Sequence, residues 1–407
     1  MVKTLHPLGD ISSRLSQSAA QRIELVRDSE PSPAMVAVDP VEATKRALAA
    51  PLEFPPLASS VVLGDRVAIA VDGAVPCVPA VVRGVVDALS AAGIEREAIS
   101  VVTADVETSR RCRAEFGEGD ANAPQFVVHD PEDANNLCLV GLRKKEGPLL
   151  VNRTIYDADV VLPIGCARLE GYGVFDGLYP QFSNAEAKAP FLSPAGRDSV
   201  VDEAAKSSMT DEAGWLIGAP LILQVVPGPG ETVAEVVAGE PEAVERRIEQ
   251  LCGEVWSFHV SRRANLVIAA LAGGAAAQTW ENVARALVAT ERLVEEEGGA
   301  VALCTNLDQR AGESLGRLIG STDLDKTARK LLRDHAEDSW PAFQLVRALQ
   351  RGPVFLLSQL DAEAMDDMGL APVADLDELA RLAGRYESYI VLEDAQHAIV
   401  RVEGESA

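Results

Sequence analysis

The chain has 407 residues, 47% of them hydrophobic but only 4% aromatic, so its core must be built from Ala, Val, Leu and Ile, with length enough for two or three domains. A net charge of −25 without any block of Lys or Arg argues against an extended nucleic-acid interface, and no stretch reaches membrane-spanning length. The cysteines (77, 112, 138, 166, 252 and 304) form no C-x-x-C pair and no metal-ligand spacing. With an amino terminus that lacks an apolar leader, they read as buried thiols of a cytoplasmic protein.

Residues 1 to about 60 are punctuated by Pro31, Pro33, Pro40, Pro51, Pro55 and Pro56, leaving room for one short helix over Val41–Ala49. The apolar run Val67–Val71 predicts a strand covered on both faces, and Asp72, Gly73 and the Pro76/Pro79 pair break it before a helix over Ala80–Ala92. Strands are expected at Ile99–Thr103, Phe126–Val128, Leu149–Arg153, Asp159–Ile164 and Leu221–Val226, with helices over Asp105–Phe116, Ser199–Met209 and Glu240–Cys252. A second unit follows, with strands at Asn265–Ala270, Ala300–Cys304, Val354–Ser358 and Tyr389–Glu393. Its helices are expected over Trp280–Glu297, Asp323–Arg347 and Leu376–Ala383. Strands alternating with helices predict an α/β fold of two domains with mainly parallel sheets. The expected limits are 1–255 and 256–395, with 396–407 as a tail that can return to the amino-terminal domain.

In such a sheet, ligands bind outside the carboxyl ends of the strands, so Asp72–Pro79 reads as the lip of a site. Residues 165–196 are long for a plain connection and hold the densest aromatic cluster, Tyr172, Phe175, Tyr179 and Phe182. That cluster suits a ligand wall or, equally, packing that pins the loop. Asp72 can bind a ligand or cap the following helix. Arg168 and Arg110 can clamp a carboxylate or phosphate, or lie on the surface. His129 and Asp130 follow a short strand, where orienting a loop is the simpler role. Trp280 opens a helix and suits a core contact as well as a binding one.

Several motifs resemble the nickel-pincer-nucleotide lactate racemase family. D-G-A-V-P-C-V-P (Asp72–Pro79) is similar to its D-x-T-R-P-x-P, and G-P-L-L-V-N-R-T-I-Y-D-A-D-V-V-L-P-I-G (Gly147–Gly165) to its G-x-P-V-x-V-N-R…A-D-x-x-I-x-x-G. Gly239-Glu240-Pro241, the Gly273-Gly274 pair, Trp280-Glu281-Asn282 and Gly298-Gly299 match further signatures. The resemblance implies two α/β domains with an active site in the cleft between them. It also implies a nickel pincer nucleotide tethered to a lysine, histidines for metal and proton transfer, and an arginine for the substrate carboxylate.

Most of those functional positions differ here. The threonine and arginine of the first motif are Ala74 and Val75, the tethering lysine is Tyr179, and histidine positions fall on Val106, on Glu170 and near Ala204. Glu107 and Glu170 stand at or beside lost histidines and can form an acid/base pair if burial raises one of them; as abundant surface residues they can also simply be solvated. Only Asp72 carries over unchanged, and the cofactor is left unassigned. The resemblance implies an isomerase acting on a 2-hydroxy acid or related small organic acid. Its catalytic candidates are Glu107 and Glu170, and its binding candidates are Asp72, Arg168, Tyr172, Tyr179 and Trp280. A non-catalytic relative binding a small anion or nucleotide, or another carboxylate-based reaction on the same scaffold, remains the alternative.

Overall fold

The computed structural model describes residues 11–15, 20–28, 37–117, 123–143, 147–168, 171, 173–194 and 200–404. The chain forms two compact units. One comprises Pro31–Phe191 and Asp198–Val255; the other comprises Met1–Glu30, Leu192–Arg197 and Trp256–Ala407. Residues 1–30, expected in the amino-terminal domain, therefore group with the carboxy-terminal unit. They contribute α1 (Ile11–Leu15), β1 (Gln21–Arg22) and β2 (Val26–Arg27) there.

The amino-terminal unit opens with α2 (Pro40–Ala49). Asp39 caps it by accepting from the Val41 and Glu42 N–H groups, and Pro40 fills a position whose N–H needs no partner. β3 (Val67–Val71) is buried at every residue. In α3 (Val78–Ala91) the buried Val78, Val81, Val82, Val85, Val86 and Leu89 recur at helical spacing and face the sheet core.

The chain continues through β4 (Ile99–Thr103), α4 (Val106–Ala114) and β5 (Gln125–Val128). After these come β6 (Leu137–Arg143), β7 (Gly147–Asn152), β8 (Val160–Cys166), α5 (Val200–Ile217), β9 (Ile222–Pro227), β10 (Val233–Gly239) and α6 (Pro241–Trp256). The main sheet runs β10-β9-β8-β3-β4-β5 and is parallel except for the β9–β10 pair. β3 thus lies where strand order reverses, with β4 on one side and β8 on the other. β6 and β7 form a separate antiparallel hairpin, of which the periodicity disclosed only the second strand.

The carboxy-terminal unit contains β11 (Ser257–Val260), β12 (Leu266–Ala270), α7 (Trp280–Glu291), β13 (Ala300–Cys304), α8 (Leu324–Leu331) and α9 (Ser339–Arg351). It ends with β14 (Val354–Leu357), β15 (Ala371–Pro372), α10 (Leu376–Ala383), β16 (Ser388–Leu392) and β17 (Ile399–Val402). Its main sheet, β1-β16-β12-β13-β14-β15, is parallel throughout. A small sheet places β11 between β17 and β2, so residues 399–402 of the tail pair within this unit. His259 on β11 binds Asp28 through Nδ1 at 2.7 Å.

Two helices are shorter than expected. The predicted Trp280–Glu297 helix stops at Glu291, because the chain turns so that Glu295 N–H can donate to Ala264 O. The predicted Asp323–Arg347 helix is two helices. Between them Asp338 accepts from the Ser314 and Leu315 N–H groups (3.0 and 2.9 Å), a side-chain role that anchors the break. Among the described residues no helix is long and apolar enough to cross a membrane.

Candidate functional site

Parallel strands β3 and β8 end side by side, and Asp72 is the residue that follows β3. Its N–H donates to Ile164 O at 2.9 Å, which extends the pairing one step. Its Oδ1 accepts from Ala74 N–H at 2.9 Å and its Oδ2 lies 3.4 Å from Cys166 N–H. The same oxygen faces the Arg168 guanidinium at 3.9 Å, with side-chain exposures of only 15% for Asp72 and 19% for Arg168. A carboxylate that loses most of its water needs such donors and an opposite charge. This is the crevice at a topological switch point where open α/β sheets bind ligands.

Glycines let the following loop close on this carboxylate. A Cβ at Gly177 would stand 3.1 Å from Asp72 Cβ, and one at Gly165 would overlap the Gln224 amide. Gln224 is 2% exposed in the middle of β9, and its Nε2 donates to Val174 O at 2.7 Å, tying the loop to the sheet. A cavity of about 80 Å³ lies here, lined by Cys166, Arg168, Val174, Gln224, Glu245 and Glu249 among others. Burial, then Asp211 and Glu249, push the Glu245 carboxyl above its ordinary range, and burial does the same for Asp211.

The far end of the loop is fixed by a buried histidine. His129 Nε2–H donates to Ser183 O at 2.8 Å, which leaves Nδ1 to accept from the Asn152 amide at 3.1 Å. Burial pulls the His129 pKa down, so the ring stays neutral as this pattern requires. Asn152 also caps a turn at Thr154 N–H and donates its own N–H to Phe182 O, while Ser183 Oγ–H donates to Leu150 O. The V-N-R stretch thus has a physical task in shaping the loop.

The remaining candidates are dispersed. Glu107 lies in the first turn of α4, exposed, and forks with Arg110 at 2.6 and 2.9 Å; the guanidinium holds its carboxyl below the usual range. Asp105 caps the same helix at Thr108 N–H, and these two side chains abut Gly73. Glu170 and Tyr172 lie outside the described residues. Tyr179 is 1% exposed and packs edge-on against Phe191, in a cluster with Leu149 and Ala213. Trp280 belongs to the carboxy-terminal unit, buried, with its indole N–H donating to Gln309 O at 2.9 Å.

The geometry therefore unites Asp72 and Arg168 from the candidates and adds Gln224, which sequence reasoning passed over. Its signal was present: one amide inside the apolar run Leu221–Val226.

Residues 12–177 match the family model described as the lactate racemase N-terminal domain. Lactate racemase from Thermoanaerobacterium thermosaccharolyticum is 24% identical over 292 residues, covering 68% of each chain. The structure of the lactate racemase apoprotein from that organism superposes with a TM-score of 0.72 at 20% identity, covering 93% of this chain and 99% of the other. A Thermotoga maritima protein superposes with a TM-score of 0.64 at 14% identity, covering 90% and 100%. The two structural likenesses show the mainly parallel α/β fold. By the match over residues 12–177 and the sequence relative, the chain is similar to lactate racemase, most specifically in its amino-terminal part.

Proposed function

We propose that the chain is an isomerase of the racemase or epimerase type, acting on a small 2-hydroxy acid or related organic acid beside Asp72 and Arg168. The observation that carries this reading is the meeting of a shielded carboxylate and a guanidinium at the reversal point of a parallel sheet, in a chain similar to lactate racemase. Arg168 would take the substrate carboxylate, for which its fork of N–H donors is suited. Asp72 would accept the hydroxyl and so orient C2. Glu170, two residues beyond Arg168, is the acid–base candidate; Glu107, kept ionised by Arg110, enters only as a base.

The side chains at the implied cofactor positions do not fit the pincer nucleotide. Tyr179 stands at the tether position with its ring in an apolar cluster, and Val106 and Ala204 stand at histidine positions. Substrate binding and proton handling are therefore assigned to the chain's own carboxylates and guanidinium. The absence of titrating groups at Val106 and Ala204 favours a second reading, a non-catalytic relative that binds a small anion or nucleotide. A cytoplasmic location belongs to the same proposal, supported by six free cysteines, four of them buried.

The test incubates the purified full chain with single enantiomers of 2-hydroxy acids and follows the opposite enantiomer by chiral chromatography, with calorimetric binding in parallel. Formation of the opposite enantiomer, lost in Arg168→Met, supports the isomerase. Binding without turnover supports the second reading.

A further inference from the structure

We infer that the loop from Ala272 to Ala276 is a second ligand site, for a phosphate monoester with a hydroxyl on the neighbouring carbon. It is made entirely by the carboxy-terminal unit and is independent of the reaction proposed for Arg168.

The loop leaves β12 where strand order reverses in this unit's main sheet, with β13 on one side of β12 and β16 on the other. Open parallel sheets bind ligands at that position. Gly273 takes a left-handed φ of 95° and Gly274 is extended, a turn that leaves consecutive N–H groups bare. The N–H groups of Gly273, Gly274, Ala275 and Ala276 donate to no acceptor among the described residues, and Ala275 and Ala276 are exposed. Gln278 fixes the turn. Its Nε2 donates to Gly273 O at 3.0 Å, and its Oε1 accepts from Thr305 Oγ1–H and Asn306 N–H at 2.7 and 2.9 Å.

An independent observation at the same place is Gln396, on the segment that leaves β16. Its Nε2 donates to Ala272 O at 3.3 Å, and a carbonyl only accepts, so the orientation of the amide is set. Its Oε1 is buried with no hydrogen-bond partner, in a residue only 7% exposed. A shielded acceptor left empty is costly, and a ligand donor would satisfy it. Because Nε2 touches the first residue of the loop, Oε1 stands beside the loop's bare donors. Four N–H groups match the three acceptor oxygens of a phosphate better than the two of a carboxylate. A hydroxyl on the adjacent carbon then supplies the donor for Gln396.

Calorimetry on the full chain compares glycerol 3-phosphate with propyl phosphate, which lacks the hydroxyl, and with glycerol, which lacks the anion. Glycerol 3-phosphate should bind about tenfold more tightly than propyl phosphate, and glycerol should not bind. Ala275→Pro removes one N–H at the first position of a helical turn, after an extended residue, where proline is tolerated; it should weaken both phosphates about tenfold. Gln396→Leu should make the two phosphates equal, and Ala275→Pro decides the matter alone if that variant does not fold. Arg168→Met should bind like the wild type, which separates this site from the amino-terminal one. The site is overturned if the wild type binds neither phosphate or both equally, if Ala275→Pro keeps full affinity, if a folded Gln396→Leu keeps the preference, or if Arg168→Met loses binding.

Discussion

The Asp72 carboxylate and the Arg168 guanidinium face each other at 3.9 Å, each on the segment that leaves one of two adjacent parallel strands. The separation is longer than a closed ion pair, and the fork of N–H donors on a guanidinium can serve more than one acceptor. Arg168→Met should raise KM by about 10- to 100-fold, because a partly desolvated charge pair is lost. Asp72→Asn preserves shape and removes the charge, and it should lower kcat more than it raises KM. Steady-state kinetics on any turned-over 2-hydroxy acid separates the two.

Gly177 tests how tightly the loop must close. A methyl group there meets Asp72 Cβ at 3.1 Å, so Gly177→Ala should displace the carboxylate by a few tenths of an ångström. The expected loss of kcat/KM is about tenfold or more, with a stability change of only about 1–2 kcal/mol, because positioning is more sensitive than packing. Kinetics and thermal unfolding on the same preparation check both halves.

His129 makes the loop anchor sensitive to acid. Its folded pKa is depressed by burial below the ordinary value of about 6.5. Its contribution to stability is therefore fully present above about pH 6.5 and is lost as pH falls through the folded pKa. Protonation would set an N–H at Nδ1 against the Asn152 amide donor. His129→Gln can keep a donor toward Ser183 O without titrating. Between pH 7.5 and 5 the urea midpoint of the wild type should fall more than that of His129→Gln.

Tyr179 tests whether the tether position can be restored by substitution. Its ring is enclosed by Leu149, Phe191 and Ala213, so Tyr179→Lys would bury an ammonium in an apolar cluster. A loss of roughly 3–5 kcal/mol is expected from the emptied ring volume and the buried charge together, measured as a shift in denaturant midpoint. A variant as stable as the wild type would mean that this segment does not pack as described.

Features set by local pattern were legible in the sequence. Val67–Val71 reads as a doubly covered strand because every residue is apolar and small or branched, and Asp72 then marks its end. Features set by distant partners were not. β1 and β2 are two residues each and exist only by pairing with β16 and β11. The aromatic loop offered a ligand wall and a packed plug with equal force, since the same residues serve both. Only tertiary placement separates them, and it puts Tyr179 and Phe182 in the interior. Gln224 was overlooked because an amide in a strand gains meaning only from Val174 and Gly165, which are remote in sequence.

The interleaving of the two units has a consequence for synthesis on the ribosome. Residues 31–191 and 198–255 emerge nearly without interruption and can condense while translation continues. β2, made before them, has no sheet to join until β11 emerges, and β1 must wait longer, for β16. These two strands are thus made before the amino-terminal unit and dock after it. In that interval Val26, still 48% exposed in the folded chain, and its neighbours are an unpaired edge open to other nascent chains.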